Sequence, residues 1–224
     1  MNLAGRFKSG IGDISLVEPT TPEATGTVRH PVVETFHSVQ GEGVWTGTNA
    51  FFIRLAGCDV GRPWCDSKFS WSTQPHPLVS VDDLVQQARA VNPFMVVITG
   101  GEPLMHDLVP LTQSLRRAGL RIHLETSGAH PFSGQFDWVS LSPKQFKPPL
   151  PDIYTHVDEL KVVIANQDDL AWAVEQAAQV PVTAIKLLQP EWTSDQSQQL
   201  VVDYVTHQPD WRVSLQTHKF LGVR

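Results

Sequence analysis

The chain has 224 residues, of which 41% are hydrophobic and 18% charged, and its formal net charge is −6. This composition is typical of one globular domain with a substantial core. The acidic balance argues against a broad nucleic-acid-binding surface, because contacts with phosphates require a basic one. No apolar run reaches the roughly 18 residues that span a membrane, and the N-terminus lacks the apolar core of a signal peptide. We therefore expect a cytoplasmic protein with neither a membrane nor a nucleic-acid partner.

Residues 1–30 are polar and rich in turn-forming residues, which predicts a flexible N-terminal extension. The remainder, residues 31–224, is predicted to form one domain in which apolar strands alternate with amphipathic helices. Strands are predicted at residues 32–36, 50–55, 94–98, 120–124, 138–141, 157–164, 182–188 and 211–215. Helices are predicted at residues 80–91, 106–118, 167–179 and 194–207.

This alternation indicates parallel βαβ units whose sheet is covered by helices. The strands are too few for a complete barrel, so the predicted fold is α/β: a partial (β/α) barrel of six or so largely parallel strands with helices outside. Polar residues follow the carboxyl ends of the strands, which in such folds form one rim where ligands bind. The residues predicted on this rim are Thr99, Glu102, Glu125, Ser127, Ser142, Lys144, Gln189, Gln216 and His218.

The two cysteines of the chain, Cys58 and Cys65, lie just after the predicted strand at residues 50–55. Zinc requires about four ligands, and the nearest histidines have no recognisable ligand spacing. A disulfide is disfavoured in a reducing compartment, whereas an iron–sulfur cluster generally uses about three or four thiolates. Cysteines without a functional role are also compatible with the composition. The residues alone leave these alternatives open.

Two further features near the rim allow more than one interpretation. Arg54 interrupts an apolar strand, where it either forms a structural salt bridge or binds a carboxylate with its bidentate guanidinium. The glycines of TGGEP at residues 99–103 either form a plain turn or let a ligand approach the backbone. Glu102 in this turn offers a carboxylate to an ammonium group.

A set of short motifs carries a family resemblance through its order and spacing. The motifs are FHSVQGEG at residues 36–43, FIRLAGC at 52–58, WCDSK at 64–68, TGGEP at 99–103, ETSG at 125–128, SPK at 142–144, QP at 189–190 and QTHK at 216–219. Over about residues 32–224, the chain resembles the radical S-adenosylmethionine superfamily and, within it, the 7-carboxy-7-deazaguanine synthases.

The resemblance implies a carbon–nitrogen lyase of the radical S-adenosylmethionine type. In the implied reaction, S-adenosylmethionine is cleaved reductively to a 5′-deoxyadenosyl radical that removes a hydrogen from 6-carboxy-5,6,7,8-tetrahydropterin. The ring contracts with loss of ammonia, and 7-carboxy-7-deazaguanine enters the synthesis of queuosine and related 7-deazapurines of tRNA. A reductant such as flavodoxin or ferredoxin and a homodimeric state are implied as well.

The resemblance also implies roles for individual residues. S-Adenosylmethionine would be bound by Gly100, Gly101, Glu102, Glu125, Ser127, Ser142, Pro143, Lys144 and Gln189. The pterin would be bound by Val39, Gln40, Gly41, Arg54 and Thr99. Cys58 and Cys65 would ligate a 4Fe–4S cluster, and Ser67 would bind Mg²⁺ through its hydroxyl oxygen in place of the family's threonine.

One position departs from the family pattern. The middle cluster cysteine corresponds to position 62, where this chain has Arg62. A guanidinium is permanently protonated and offers iron no lone pair. The alternative to the synthase is therefore a cluster-deficient protein that binds the pterin and S-adenosylmethionine with impaired or no turnover. A non-enzymatic pterin- or nucleotide-binding module and a metal hydrolase are further alternatives, the latter disfavoured because no His/Asp ligand cluster is visible in the sequence.

Overall fold

One open, nine-stranded sheet organises the part of the chain that the computed structural model describes, residues 27–61, 68–71 and 76–224. The strands are arranged in the order β3-β1-β2-β4-β5-β6-β7-β8-β9. In chain order they are β1 (Arg29–Val39), β2 (Asn49–Leu55), β3 (Leu78–Ser80), β4 (Met95–Gly100), β5 (Ile122–Thr126), β6 (Trp138–Leu141), β7 (Glu159–Ile164), β8 (Ile185–Pro190) and β9 (Trp211–Val213).

The sheet is largely parallel, as the alternation of strands and helices predicts. Pairing is parallel from β2 through β4 and onward to β9, whereas β1 pairs antiparallel with both β2 and β3. The α/β class and the incomplete barrel are thus confirmed. Each of the eight predicted strand segments corresponds to a strand of the described residues, so the expected number of six or so was too low. The ninth strand, β3, is only three residues long and leaves no readable pattern.

Five α-helices lie among the described residues, and side-chain caps begin several of them. They are α1 (Val81–Ala90), α2 (Val109–Arg117), α3 (Gln167–Ala177), α4 (Asp195–His207) and the short α5 (Thr217–Leu221). The predicted cap Ser80 accepts a hydrogen bond from the backbone N–H of Asp83 at 3.1 Å. The predicted helix at residues 106–118 begins only at Val109, because a separate 3₁₀ turn, Pro103–Met105, precedes it.

The main core lies between helices α1 to α4 and one face of the sheet. Leu84 of α1 and Leu111 of α2 are fully buried there, together with Ile98 of β4 and Leu124 of β5. Because side chains alternate along a strand, the residues between these apolar positions point to the opposite face. That second face is polar near the carboxyl ends of the strands, and it positions the site described below.

The predicted N-terminal extension falls largely on residues 1–26, which lie outside the described residues. β1 begins at Arg29, just before the predicted start of the domain. In the described part of the chain, no helix combines the length and the apolar composition that a membrane crossing requires.

Candidate active site

A cavity of about 1000 Å³ lies at the carboxyl ends of the parallel strands, on the polar face of the sheet. It is lined by the predicted pterin-binding residues Val39, Gln40, Gly41, Arg54 and Thr99. It is also lined by the predicted S-adenosylmethionine-binding residues Gly100, Gly101, Glu102, Glu125, Ser127, Ser142, Lys144 and Gln189, and by Cys58. Pro143 is buried but does not line the cavity. Cys65, Ser67 and Arg62 lie outside the described residues.

The parallel register explains why residues far apart in sequence meet at this cavity. Arg54 of β2 and Thr99 of β4 are register partners, so their side chains are neighbours on the same face. Glu125 is the last residue of β5 whose side chain is on the cavity face of the sheet, and Gln189 occupies the equivalent position on β8. Each strand therefore contributes a polar group to one wall, as the rim prediction requires.

Arg54 forms the structural salt bridge that its apolar surroundings suggested. Its Nε donates to Oε1 of Glu34 at 3.0 Å. The guanidinium carbon also lies 5.8 Å from the ring centre of Phe36 and 5.7 Å from that of Phe69. Since Arg54 lines the cavity as well, the two interpretations of this residue are compatible: Glu34 orients a guanidinium that forms part of the cavity wall.

The double glycine of the TGGEP turn is required by the chain itself. A Cβ on Gly100 would collide with the carbonyl oxygen of Leu55, and a Cβ on Gly101 would collide with that of Gly57. The backbone N–H of Gly101 donates to the oxygen of Leu55 at 3.1 Å, and that of Glu102 donates to the oxygen of Gly57 at 2.9 Å. The turn thus lies directly against the loop that carries the first cysteine.

The carboxylate of Glu102 is held by protein donors. It accepts hydrogen bonds from the backbone N–H of Leu104 at 3.1 Å, from the hydroxyl of Thr126 at 2.5 Å, and from the N–H and hydroxyl of Ser127 at 2.8 and 2.5 Å. A carboxylate offers about four acceptor sites, so these bonds occupy its capacity. Glu102 therefore joins the turn after β4 to the end of β5, and its predicted contact with an ammonium group stays a prediction.

A buried lysine bridges two carboxylates on the cavity floor. Nζ of Lys161 donates to Oε2 of Glu42 at 2.7 Å and to Oε2 of Glu125 at 3.1 Å, and the lysine side chain is 3% exposed. Burial by itself would raise the pKa of Glu42, but the ion pair with Lys161 overrides it and holds that pKa at about 2. The same burial would lower the pKa of Lys161, yet its carboxylate neighbours raise it.

Lys161 lies outside the motifs that predict the site, although its sequence context carries a signal. It is the lysine within the apolar segment ELKVVI of β7, which is the same pattern that singled out Arg54 in β2. A charged side chain in such a strand is costly unless it meets an opposite charge. From the sequence, Glu42 is predicted only as part of a glycine-containing turn, because its partner Lys161 is distant along the chain.

Two further titratable groups, Glu159 and His123, lie near the lysine without lining the cavity. Glu159 accepts hydrogen bonds from the hydroxyl of Ser140 and the N–H of Val44, both at 2.9 Å, and burial raises its pKa. His123 is 1% exposed, and burial lowers its pKa to about 4. Its Nε2 is 3.6 Å from Oε1 of Glu125, beyond hydrogen-bonding distance. Lys161 is thus surrounded by three carboxylates and one buried imidazole.

Cys58 carries a free, half-buried thiol that faces this cavity. The next residue, Asp59, pairs with Nζ of Lys147 at 2.5 Å and with Nε2 of His130 at 2.9 Å. The hydrogen bonds from Lys147 and His130 lower the pKa of Asp59 to about 2. Because His130 follows β5 and Lys147 follows β6, Asp59 ties the cysteine loop to two other segments of the rim.

The residues present do not fit a 4Fe–4S cluster held by three cysteine thiolates. The whole chain has two cysteines, and position 62 is an arginine. Among the described residues, no three His, Cys, Asp or Glu side chains are grouped so that they could hold a metal ion. Arginine cannot replace a thiolate. We therefore assign no chemical step to a cluster held by this chain's own residues.

Comparison with known proteins identifies close relatives of the whole domain, although no protein-family model matches the chain. The 7-carboxy-7-deazaguanine synthase of Synechocystis sp. (strain ATCC 27184 / PCC 6803 / Kazusa) is 54% identical over 198 residues, covering 88% of this chain and 95% of that protein. The synthase of Flavobacterium psychrophilum is 48% identical over 194 residues, with 86% and 92% covered.

A solved structure agrees with these relatives. The crystal structure of QueE from Escherichia coli superposes with a TM-score of 0.76 at 32% identity, covering 85% of this chain and 95% of that chain. The 7-carboxy-7-deazaguanine synthase of Escherichia coli (strain K12) is 31% identical over 223 residues, covering 88% of this chain and all of that protein. On sequence and fold together, this chain belongs to the 7-carboxy-7-deazaguanine synthase family.

Proposed function

We propose that this protein converts 6-carboxy-5,6,7,8-tetrahydropterin into 7-carboxy-7-deazaguanine with loss of ammonia, as a carbon–nitrogen lyase of the radical S-adenosylmethionine type. Its product would serve the synthesis of queuosine and other 7-deazapurines of tRNA. Membership of the synthase family supports this proposal. The observation that carries it is that the described residues expected to bind the two ligands, with the exception of Pro143, line one cavity.

In this proposal the pterin occupies the part of the cavity around Arg54. The planar guanidinium, oriented by Glu34, matches a carboxylate such as that of the substrate. Gln40 is held in place through its Nε2, which donates to Oε1 of Glu125 at 3.0 Å. Val39, Gly41 and Thr99 complete the proposed pterin-binding set.

S-Adenosylmethionine is proposed to bind along the turn after β4 and the ends of β5, β6 and β8. When bound and reduced by one electron, this cofactor would supply a 5′-deoxyadenosyl radical. The backbone of Gly100 and Gly101 lines the cavity in this turn, and Nζ of Lys144 donates to the hydroxyl of Ser142 at 2.6 Å. Ser67 is proposed to bind Mg²⁺ through its hydroxyl oxygen, which is a hard ligand suited to that ion.

Because Arg62 occupies the position of a cluster cysteine, the proposed function is tested by measuring turnover. Three proteins are reconstituted anaerobically with iron and sulfide: the unaltered chain, the variant Arg62→Cys, and the control Arg89→Cys, which adds a thiol at an exposed position of α1. Iron per chain, 5′-deoxyadenosine and 7-carboxy-7-deazaguanine are measured. We expect Arg62→Cys to raise the iron content and the rate, and Arg89→Cys to leave both unchanged.

The outcomes separate the synthase from the alternative. Product formed by the unaltered chain supports the proposed function. If the unaltered chain binds the pterin and S-adenosylmethionine without product, while Arg62→Cys turns over, the protein is the cluster-deficient binding protein. If no variant binds the pterin or forms product, the proposed function is wrong.

The proposal extends to partners. We propose a homodimer that receives electrons from flavodoxin or ferredoxin in the cytoplasm and makes no direct contact with nucleic acid. Light scattering after size-exclusion chromatography measures the oligomeric state. Deoxyadenosine formation by the Arg62→Cys variant with each electron donor in turn tests the reductant.

A further inference from the structure

The cavity floor contains a buried ion-pair network that the predicted roles do not explain. Lys161 is almost fully buried in the middle of β7, and an isolated buried ammonium is strongly unfavourable. Its two partners come from distant parts of the chain: Glu42 follows β1 and Glu125 lies in β5. Lys161 is therefore the group through which these two carboxylates are brought together.

Each carboxylate is oriented by two donors. Glu42 accepts from Lys161 through Oε2 and from Nε2 of Gln216 through Oε1, the latter at 2.7 Å. Glu125 accepts from Lys161 through Oε2 and from Nε2 of Gln40 through Oε1. Since a carboxylate has about four acceptor sites, about two remain on each group. Both carboxylates line the cavity, so these sites are available to donors of a bound molecule.

We propose that Lys161 is a positioning residue for substrate recognition: it holds Glu42 and Glu125 side by side as acceptors, and these receive N–H groups of the pterin ring, which places Glu125 at the pterin rather than at S-adenosylmethionine. The inference rests on the proposed function, because it takes the pterin as the ligand of this cavity. A reduced pterin carries several ring and exocyclic N–H groups, and carboxylates are strong acceptors for such donors. Lys161 itself needs no contact with the substrate.

The charge balance shows what the lysine contributes. Without it, Glu42 would lie near Glu125 and Glu159 with no lysine to offset its charge, and burial would then favour its neutral form. His123 of β5 does not replace the cation, because burial lowers its pKa to about 4. His218, which follows β9, favours ionisation of Glu42 but less strongly than Lys161 does. A protonated carboxyl has fewer acceptor sites, so loss of Lys161 would weaken recognition of the N–H groups.

The experiment compares Lys161→Met with the matched control Lys186→Met. Lys186 is the register partner of Leu160 and thus lies on the opposite face of the sheet from Lys161. The probe is 6-carboxypterin, a stable oxidised relative of the substrate, and its Kd is measured by calorimetry at pH 6 and pH 7, both below the range in which the ring N–H of a pterin ionises. Binding does not require turnover, so Arg62 does not interfere.

We expect Lys161→Met to bind the probe at least about tenfold more weakly, because a lost charge-assisted network costs more than about 1.4 kcal/mol. Binding is expected to be weaker still at pH 6, because Glu42 without its lysine partner takes up a proton more readily. The unaltered chain and Lys186→Met are expected to show one Kd at both pH values. Lys161→Arg, which restores a cation with several donors, is expected to recover part of the affinity.

A second readout, the titration of the glutamate carboxyl groups, does not require the pterin. Carboxyl resonances of ¹³C-labelled glutamate are followed by NMR from pH 5 to pH 8 in the unaltered chain, Lys161→Arg and Lys161→Met. A new carboxyl titration in Lys161→Met, absent from the other two, supports the positioning role. Should Lys161→Met fail to fold, Glu42→Gln carries the binding test, and unchanged probe affinity in that variant overturns the inference.

The two proposals fail in different ways. If the unaltered chain does not bind 6-carboxypterin, the proposed function is wrong, and the NMR titration still decides whether Lys161 keeps the carboxylates ionised. If the unaltered chain binds the probe and Lys161→Met binds it equally well at both pH values, the proposed function survives and the positioning role of Lys161 is rejected.

Discussion

Ser127 donates both its hydroxyl and its backbone N–H to Oε2 of Glu102, at 2.5 and 2.8 Å. The two residues are 25 positions apart and are separated by a helix and a strand. This bond pair closes the wall of the cavity between β4 and β5, because it holds the turn after one strand against the end of the next. The carboxylate of Glu102 is thereby a structural cross-link of the rim.

The variant Glu102→Gln tests that cross-link. The amide of glutamine replaces one acceptor by a donor, which then faces the hydroxyl or N–H groups that the carboxylate accepted. We expect a loss of about 1–3 kcal/mol in the free energy of unfolding, because buried donors are left unsatisfied. Urea denaturation measures this change, with Glu175→Gln on the exposed face of α3 as the control. A stability equal to that of the unaltered chain would contradict the cross-link.

The variant Arg54→Lys separates the salt bridge from recognition of a carboxylate. Lysine keeps the charge but loses the planar fork, so affinity for 6-carboxypterin is expected to fall about tenfold or more. Affinity for pterin, which has no carboxyl group, is expected to stay nearly constant. Calorimetry with both compounds measures the difference. Arg116→Lys, at an exposed ion pair with Asp137, serves as the control. Equal losses for both compounds would show that Arg54 acts only through Glu34.

The lowered pKa of His123 makes part of the free energy of unfolding sensitive to acid. Its pKa is lowered by burial from 6.5 to about 4, so below pH 6.5 the unfolded chain binds a proton that the folded chain does not. Stability from this residue is therefore complete above pH 6.5 and is lost as the pH falls toward 4, by about 3 kcal/mol at most.

Replacement of His123 by leucine removes this titration. Between pH 6.5 and pH 4, the free energy of unfolding of His123→Leu is expected to depend less steeply on pH than that of the unaltered chain. Above pH 7 the two profiles are expected to run parallel, which provides the internal control. Denaturant unfolding at several pH values measures both slopes, and identical slopes in the acid range would refute the prediction.

Replacement of Asp59 is expected to change the accessibility of Cys58 without a large change in overall stability. Its partners Lys147 and His130 are partly exposed, and exposed ion pairs contribute roughly 0–1 kcal/mol, so Asp59→Asn is expected to change overall stability little. The cysteine loop, however, loses its tie to the rest of the rim. We expect iodoacetamide to alkylate Cys58 several times faster in Asp59→Asn, as followed by peptide mass spectrometry.

The control for this experiment is Asp152→Asn, which alters an exposed carboxylate lying 3.9 Å from Nε2 of His156. It is expected to leave the alkylation rate of Cys58 unchanged. A rate that is the same in Asp59→Asn and the unaltered chain would mean that the contacts of Asp59 do not restrain the loop.

Much of the fold follows from local patterns. Short apolar runs predict most of the strands, and Ser80 predicts the start of α1, because these features depend on residues that are close in sequence. β3 escapes such a prediction because three residues carry too little pattern, and its pairing with β1 is a tertiary contact. The strand predicted at residues 182–188 begins only at Ile185, after a turn in which the N–H of Ala184 donates to the oxygen of Pro181.

The sequence by itself determined the α/β class, the family and a rim of polar residues, because the ends of apolar segments and the spacing of motifs can be read directly from the order of residues. Only the tertiary structure decided how these residues are used. It brings Lys161 to Glu42 across 119 positions and places Glu102 among donors that occupy its carboxylate. Contacts of this kind depend on register and crossover between strands, so no local pattern predicts them.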